Sequence, residues 1–505
     1  MKAHFINLSI LFLASVLMLS GCGLQSTSKD ETATLWVVTE ESTADGMNQQ
    51  AKMIAQRMEE SNEGLTVKLD ILPADAQKRE IPLKQLRTQI LAGKGPDVYL
   101  LPTGSTVLAD RSYSYDKVEV EPVFMDAVQA MRNGIFADIQ ELYNADHTLG
   151  KSSLKQEIMD AGCLGESRYV LPLRYNIPII YTTSQAWEEL GLGQDSSITA
   201  LVNAALAQEN VSLAAGGILM PTDLSLLPQP FDYEKEEILL TAKEIADYMR
   251  LYQAWDTVTF ENIPNIRDRW VYKIDNDNIT YYIIKNSYWG KEGHPLFTNT
   301  LVECMDNVLI TQKENQELVM LPLQTTGGSM VASVTYFGAV GSCCKNKALA
   351  YDFLRQFLTE EFQWDLYRQR FYFSRLEQAF PIADKHNCGM VENSWPVRTV
   401  GSVAPLWDNR QYQIHDVCDV FDEVPGNIPR GIWFRSKQRL LTDEDIPALE
   451  FVIDEVRFPI AQDPENSLAH ALSLLNDENG NPTDVDIDAL AEQVYLALWW
   501  HIGEG

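Results

Sequence analysis

Cys22 is the residue best placed to act as a nucleophile. It closes the tetrapeptide Leu19-Ser20-Gly21-Cys22, after an apolar run from Phe5 to Leu19 that only Asn7, Ser9 and Ser15 interrupt. A thiol can take up an alkyl group as a thioether, and small neighbours leave the backbone open to a processing enzyme. The acid pair Glu40-Glu41 is the next candidate. A carboxylate accepts two hydroxyl hydrogen bonds, which suits a polyol, and an adjacent pair can also hold a cation. Other chemistries find no pattern. The seven histidines show no H-E-x-x-H or Cys/His zinc spacing, and Gly-x-Ser-x-Gly is absent. Gly93-Lys94-Gly95 is too short to cradle a phosphate. The segment 475–486 (LNDENGNPTDVD) puts Leu475 where a calcium loop needs its first carboxylate, so it reads as a turn capping the last helix. No catalytic residue, metal site or cofactor is expected. With 71 acidic residues a carboxylate pair can always be nominated, so a secreted glycoside hydrolase is the alternative enzyme reading.

Composition narrows the partners. The 505 residues carry a formal charge of −31 with no basic run, which argues against nucleic acid. At 45% hydrophobic residues the chain can bury cores for two or three domains. Cys163, Cys304, Cys343, Cys344, Cys388 and Cys418 show no disulfide framework and are expected in the core. No stretch after the first run is apolar enough to cross a membrane.

The tetrapeptide ending at Cys22 resembles the lipobox of bacterial lipoproteins. The 15 residues from Phe5 to Leu19 are short for a hydrocarbon core of roughly 30 Å but suit a signal peptide. The resemblance implies a signal peptide at 1–21, a diacylglycerol thioether on Cys22, and a flexible tether over 22–32 (CGLQSTSKDET). The expected location is the extracytoplasmic face of the cell membrane, held through the lipid on Cys22. At about 0.8 kcal/mol per buried methylene, two or more acyl chains anchor stably where one would not.

The elements that would position a site are legible after the tether. Leu35 to Val38 is a short apolar strand ending at Thr39-Glu40-Glu41. Met47, Ala51, Ile54, Ala55 and Met58 fall on one helical face. Leu65, Val67, Leu69 and Ile71 alternate as a second strand, Arg79 to Leu91 is a helix with Pro82 in its first turn, and Val98 to Leu101 is a strand buried on both faces. The order β-α-β-α-β argues for a doubly wound parallel sheet, whose ligands bind beyond the carboxyl ends of the strands. Further helices are expected over Ile198–Ala207, Lys235–Trp255, Lys347–Thr359 and Ile487–His501.

Leu91-Ala92-Gly93-Lys94-Gly95-Pro96-Asp97-Val98 resembles the G-x-x-P-D-[VI] signature of family 1 extracellular solute-binding proteins, the capture subunits of ABC importers. Further segments resemble the family's landmarks in order: Gly134 to Ile139, Arg168 to Leu173 with Ile177 to Tyr181, Gly327-Gly328 through Gly341-Ser342, and Phe380 to Ala383. The chain departs at Thr182-Thr183, after Leu101, and over 190–320 and 390–505, which align with nothing in the family.

The resemblance implies an α/β, two-lobe periplasmic-binding-protein-like fold, each lobe a doubly wound sheet flanked by helices, joined by crossing hinge strands. The first lobe is expected at 33–174 plus 332–376 and the second at 175–331 plus 377–505. A small solute, a carbohydrate or oligosaccharide, would bind between them without covalent change and pass to ABC transporter permease subunits; a monomer is expected. A sensory or adhesive surface lipoprotein on the same fold is the remaining alternative. The expected ligand contacts are Glu40 and Glu41 at the first strand's end and Thr103 and Gly104 at the third's. Tyr175 and Asn176 mark the first crossing, and Tyr336 and Phe337 the second. Trp289 and Trp395 stand in polar, turn-like surroundings. Aromatic faces match the C–H faces of a pyranose.

Overall fold

A computed structural model describes residues 33–41, 47–104, 120–183, 220–262 and nearly all of 187–207, 318–363 and 452–503, with short strands at 106–108, 117–119, 273–275, 278–280, 395–396, 415–417 and 434–436. Cys22, Trp289, Cys304, Cys388 and Cys418 lie outside the described residues.

The protein is mixed α/β. Its N-terminal part runs β1 (Ala33–Glu40), α1 (Met47–Ser61), β2 (Leu65–Leu72), α2 (Ala76–Leu91) and β3 (Val98–Pro102). β1 lies between β2 and β3, parallel to both. Successive strand residues point to opposite faces: Leu35, Val37, Val98 and Leu100 enter one core cluster, and Val38, Tyr99 and Leu101 another. Met47, Ala51, Ile54 and Met58 of α1 cover the first face. The second takes Leu83 and Leu86 of α2 with Ala127, Ala130 and Met131 of α3 (Ala127–Arg132). The parallel strands are therefore covered on both sides, as such sheets require.

The sheet continues through strands remote in sequence. β4 (Val170–Asn176), β9 (Val331–Val340), β10 (Trp395–Pro396) and β11 (Glu455–Arg457) complete seven described strands in the order β10-β4-β9-β3-β1-β2, with β11 beside β9. β9 is antiparallel to β3 and β4 and parallel to β11. The Pro96-Asp97 motif has a structural role here. The Asp97 carboxylate accepts from the Trp36 N–H at 2.9 Å, and its carbonyl accepts from Gly341 N–H at 2.9 Å. Gly341 permits that approach, since a Cβ there would fall 2.1 Å from the Pro96 oxygen.

Beyond β4 the chain continues as β5 (Ile179–Thr183), antiparallel to β8 (Leu318–Pro322), which leads back into β9. A second core gathers here from α4 (Ile198–Leu206), the hairpin of β6 (Phe231–Asp232) and β7 (Glu237–Ile238), α5 (Ala242–Asn262), α7 (Leu468–Ser473) and α8 (Ile487–Gly503). Leu201, Phe231, Met249, Leu472, Val494 and Leu498 are buried in it. Among the described residues it is chiefly helical. The helix between β9 and residue 363 is α6 (Lys347–Arg355).

Several expected boundaries shift. α2 begins at Ala76 because Asp75 caps it, accepting from Lys78 N–H at 2.9 Å, so Pro82 stands inside the helix. The helix expected from Lys235 starts at Ala242. Before it, the β6–β7 hairpin turns through Glu236 at φ 57°, and Thr241 and Glu244 exchange hydrogen bonds as a capping box. The stretch 347–359 is α6 followed by a 3₁₀ turn over Gln356–Leu358. Cys344 is buried as expected, but Cys343 is exposed and Cys163 half-buried, so the expected core place fails for Cys343. Its thiol reaches out to the Gly95 carbonyl at 3.3 Å. Asp486, at the end of the segment 475–486, caps α8, accepting from Ala489 N–H at 3.0 Å. No described helix is long and apolar enough to cross a membrane.

Candidate functional site

The carboxyl ends of β1 and β3 and the ends of β4, β9 and β10 converge at one margin of the sheet. Across it, Trp395 pairs with Tyr175 and Tyr175 with Val334, while Asn176 pairs with Ser333 and Arg174 with Tyr336. On the other side of β9, Tyr336 pairs with Pro102, and the next residue, Thr103, donates its N–H to Thr335 O at 3.1 Å. The Thr103 hydroxyl donates to Val334 O at 2.5 Å. Gly104 turns the chain at φ 75°, a conformation that favours glycine, where a Cβ would stand 3.8 Å from Pro459 just after β11. Five expected contacts, Thr103, Gly104, Tyr175, Asn176 and Tyr336, thus lie together, and Trp395 joins them by register.

This margin is irregular. The pairing of β4 and β9 shifts between Val334 and Tyr336 and again between Tyr336 and Phe337. Such bulges re-aim side chains and are common beside functional sites. Phe337 turns into the core, edge-on to Phe136 at 5.9 Å and Phe458 at 6.1 Å. That places it as packing: as adjacent strand residues, Tyr336 and Phe337 enter the clusters on opposite faces of the sheet. The Tyr336 ring, 4% exposed, lies 5.8 Å from the buried Arg174 guanidinium. Tyr175 is also buried, at 1% exposure. Both tyrosine side chains belong to the sheet-core cluster, together with Leu100 and Ala332.

The acid pair behaves differently from the expectation of two free acceptors. Glu40 is 2% exposed and bound to Arg79, whose Nη2 lies 2.7 Å from Oε1. Burial pushes the Glu40 carboxyl above its ordinary range, more than the neighbouring Arg79 charge and hydrogen bond pull it down. Arg79 also donates to Glu121 O at 2.7 Å and Pro73 O at 3.2 Å, so it clamps three segments behind the strand ends. Glu41 accepts from Ala74 N–H at 3.1 Å. Both carboxylates are therefore engaged by the protein itself. Among the described residues no cluster of His, Cys, Asp or Glu is arranged to hold a metal ion.

Sequence reasoning missed two buried charges around this margin, Arg79 and Arg457; the third, Arg174, stands beside the first crossing. Arg457 donates from Nη1 to Leu227 O at 2.8 Å, joining β11 to the second core. A signal existed for Arg79, which stands four and seven residues before Leu83 and Leu86, on the buried face of α2. Periodicity of apolar residues alone passes over a buried arginine.

Solved structures similar to this chain include an extracellular solute-binding protein family 1 member from Alicyclobacillus acidocaldarius, at 14% identity and a TM-score of 0.46 over 94% of this chain and 100% of that one. An ABC substrate-binding protein from Listeria monocytogenes in complex with cycloalternan matches at 13% identity and a TM-score of 0.44 over 94% and 99%. A cyclic alpha-maltosyl-1,6-maltose binding protein from Arthrobacter globiformis matches at 13% and 0.43 over 94% and 100%. No protein-family model and no curated protein matches the chain.

Proposed function

We propose that this chain is a solute-binding lipoprotein that captures a neutral carbohydrate, an oligosaccharide by preference, between two lobes and delivers it to an ABC permease. It is no enzyme in this reading. The first lobe is built on the sheet core and the second on the helical core, joined by β4–β5, by β8–β9 and by the segment after β11. The observation that carries the proposal is the convergence of Thr103, Gly104, Tyr175, Asn176, Tyr336 and Trp395 at the margin where those segments leave the sheet. Tyrosine rings and hydroxyl-bearing or amide side chains suit a sugar, which offers C–H faces and hydroxyl groups together. Lipid on Cys22 would keep the protein at the membrane beside its permease.

The state of the acid pair favours a neutral ligand over a cation. Glu40 is paired with Arg79, which leaves only Glu41, held by one backbone donor, to meet a polyamine or a metal. A thermal-shift screen over neutral oligosaccharides, polyamines and divalent metals tests the proposal. A sugar at a hundredfold excess over Kd should stabilise the protein by about 2.7 kcal/mol. The shift should barely change with salt, since stacking and hydroxyl hydrogen bonds are poorly screened. Stabilisation by cations alone, weakening with ionic strength, would contradict the ligand class. New reducing ends released from the oligosaccharides would contradict the binding-only reading.

A further inference from the structure

The second core also touches the sheet core at α3, and the contact centres on one buried carboxylate. Asp126 caps α3: its Oδ1 accepts from Val128 N–H at 2.7 Å and Gln129 N–H at 3.2 Å. Its other oxygen faces the second core, accepting from the Tyr233 hydroxyl at 2.6 Å and lying 3.2 Å from His501 Nε2. The Asp126 side chain has no exposed surface. The two partners come from separate elements of the second core, Tyr233 from the turn after β6 and His501 from the last turn of α8. Phe231 braces both, edge-on to Tyr233 at 5.6 Å and stacked on His501 at 5.8 Å. Around this centre Gln129 donates to His501 O at 2.6 Å, Arg132 pairs with Glu236, and Ala461 N–H donates to Met125 O at 2.8 Å.

We infer that Asp126 is a latch: by gathering Tyr233 and His501 onto one buried acceptor, it holds the second core in the described disposition, and its strength sets how freely the two cores reorient. This goes beyond ligand capture but rests on the proposed two-lobe reading, since only lobes that move need a latch. The physical case is the asymmetry of the contact. A carboxylate buried at a seam must keep its donors, because leaving it without them costs more than an ordinary hydrogen bond is worth. Burial first, and the Asp126 carboxylate second, hold the Tyr233 hydroxyl well above its usual range, so it stays a donor. Parting the cores would strip two donors from Asp126 while leaving its two capping bonds intact. The seam therefore favours a made state and a broken state over intermediate ones. The charged groups facing it are Arg132 and Glu236, paired with each other at its rim.

The double variant Tyr233→Phe with His501→Phe removes both donors, keeps the rings beside Phe231 and spares the α3 cap. Hydrogen exchange and small-angle scattering on the full chain, with no sugar present, read the result. Exchange over 499–503 should quicken about tenfold while β1 and β3 keep their protection, and the scattering profile should shift from that of the parent. Unchanged protection over 499–503 with superimposable scattering would overturn the latch. So would equal loss of protection in both cores, which would make the contact a part of global stability. The single variant Tyr233→Phe guards against misfolding and should show the same pattern at smaller amplitude. Because no ligand is used, failure here leaves the solute-binding proposal standing, and failure to find a solute leaves this test intact.

Discussion

The first three strands of the sheet core and the second core differ in how far the chain travels to build them. From β1 to β3 the pairing stays within residues 33–102, with β1 pairing both β2 and β3. The second core binds α5 to segments more than two hundred residues away: Gln253 Nε2 donates to Leu475 O across 222 positions, and Arg250 pairs with Asp488 across 238. A core made of local partners shows itself through the alternation of its strands. One made of remote helices shows only which face of each helix is apolar, and leaves the partner open. The same contrast holds for charge. The sheet core encloses the Arg79–Glu40 pair, whereas the Arg250–Asp488 pair of the second core is open to water, with side-chain exposures of 45% and 73%.

The largest test of this contrast is Arg79→Met, which strands Glu40 in the sheet core. It should cost about 3–5 kcal/mol in denaturant unfolding, and adding Glu40→Leu should restore most of it. By comparison, Arg250→Met should cost under about 1 kcal/mol, because exposed pairs contribute little. Next in size is Leu498→Ala in α8, a cavity in the second core costing about 2–4 kcal/mol. Hydrogen exchange should show that loss in α5 and α8 with little change in β1 and β3. A uniform loss would mean that the two cores unfold as one. Smaller is Thr241→Ala, which removes the capping box of α5 and should cost about 1 kcal/mol by thermal melt. The smallest effect is a difference in reactivity. Burial pushes the Cys344 thiol up to about 12, so at pH 8 it is almost wholly protonated, while its neighbour Cys343 is exposed. Alkylation followed by peptide mapping should find Cys343 modified well before Cys344, and the order reversed would contradict this arrangement.

How much the residues revealed follows the same divide. The N-terminal β-α-β-α-β run was legible because α1 buries residues at helical spacing and β3 is a continuous apolar run buried on both faces. The convergence of Thr103, Tyr175 and Tyr336 was legible through resemblance to a known family, not through spacing. Strand pairing over more than two hundred positions leaves no local trace. Glu40 misleads for a physical reason: a strand-end carboxylate looks like a ligand contact until its partner is known, and Arg79 is 39 residues away. Phe337 misleads because strand alternation turns it to the face opposite Tyr336, into the cluster of Phe136 and Phe458. Asp126, Tyr233 and His501 were invisible as a group, since each has an ordinary local role as cap, hairpin residue or helix end.

A solute enclosed between the two cores, as proposed, would draw them together on binding. The most direct measurement is small-angle scattering of the protein with and without a neutral oligosaccharide that stabilises it in the thermal screen. Closure by rotation about the connecting segments predicts a smaller radius of gyration on binding, with the secondary-structure content unchanged. An oligosaccharide that binds tightly yet leaves the scattering profile superimposable on that of the free protein would contradict enclosure between the cores.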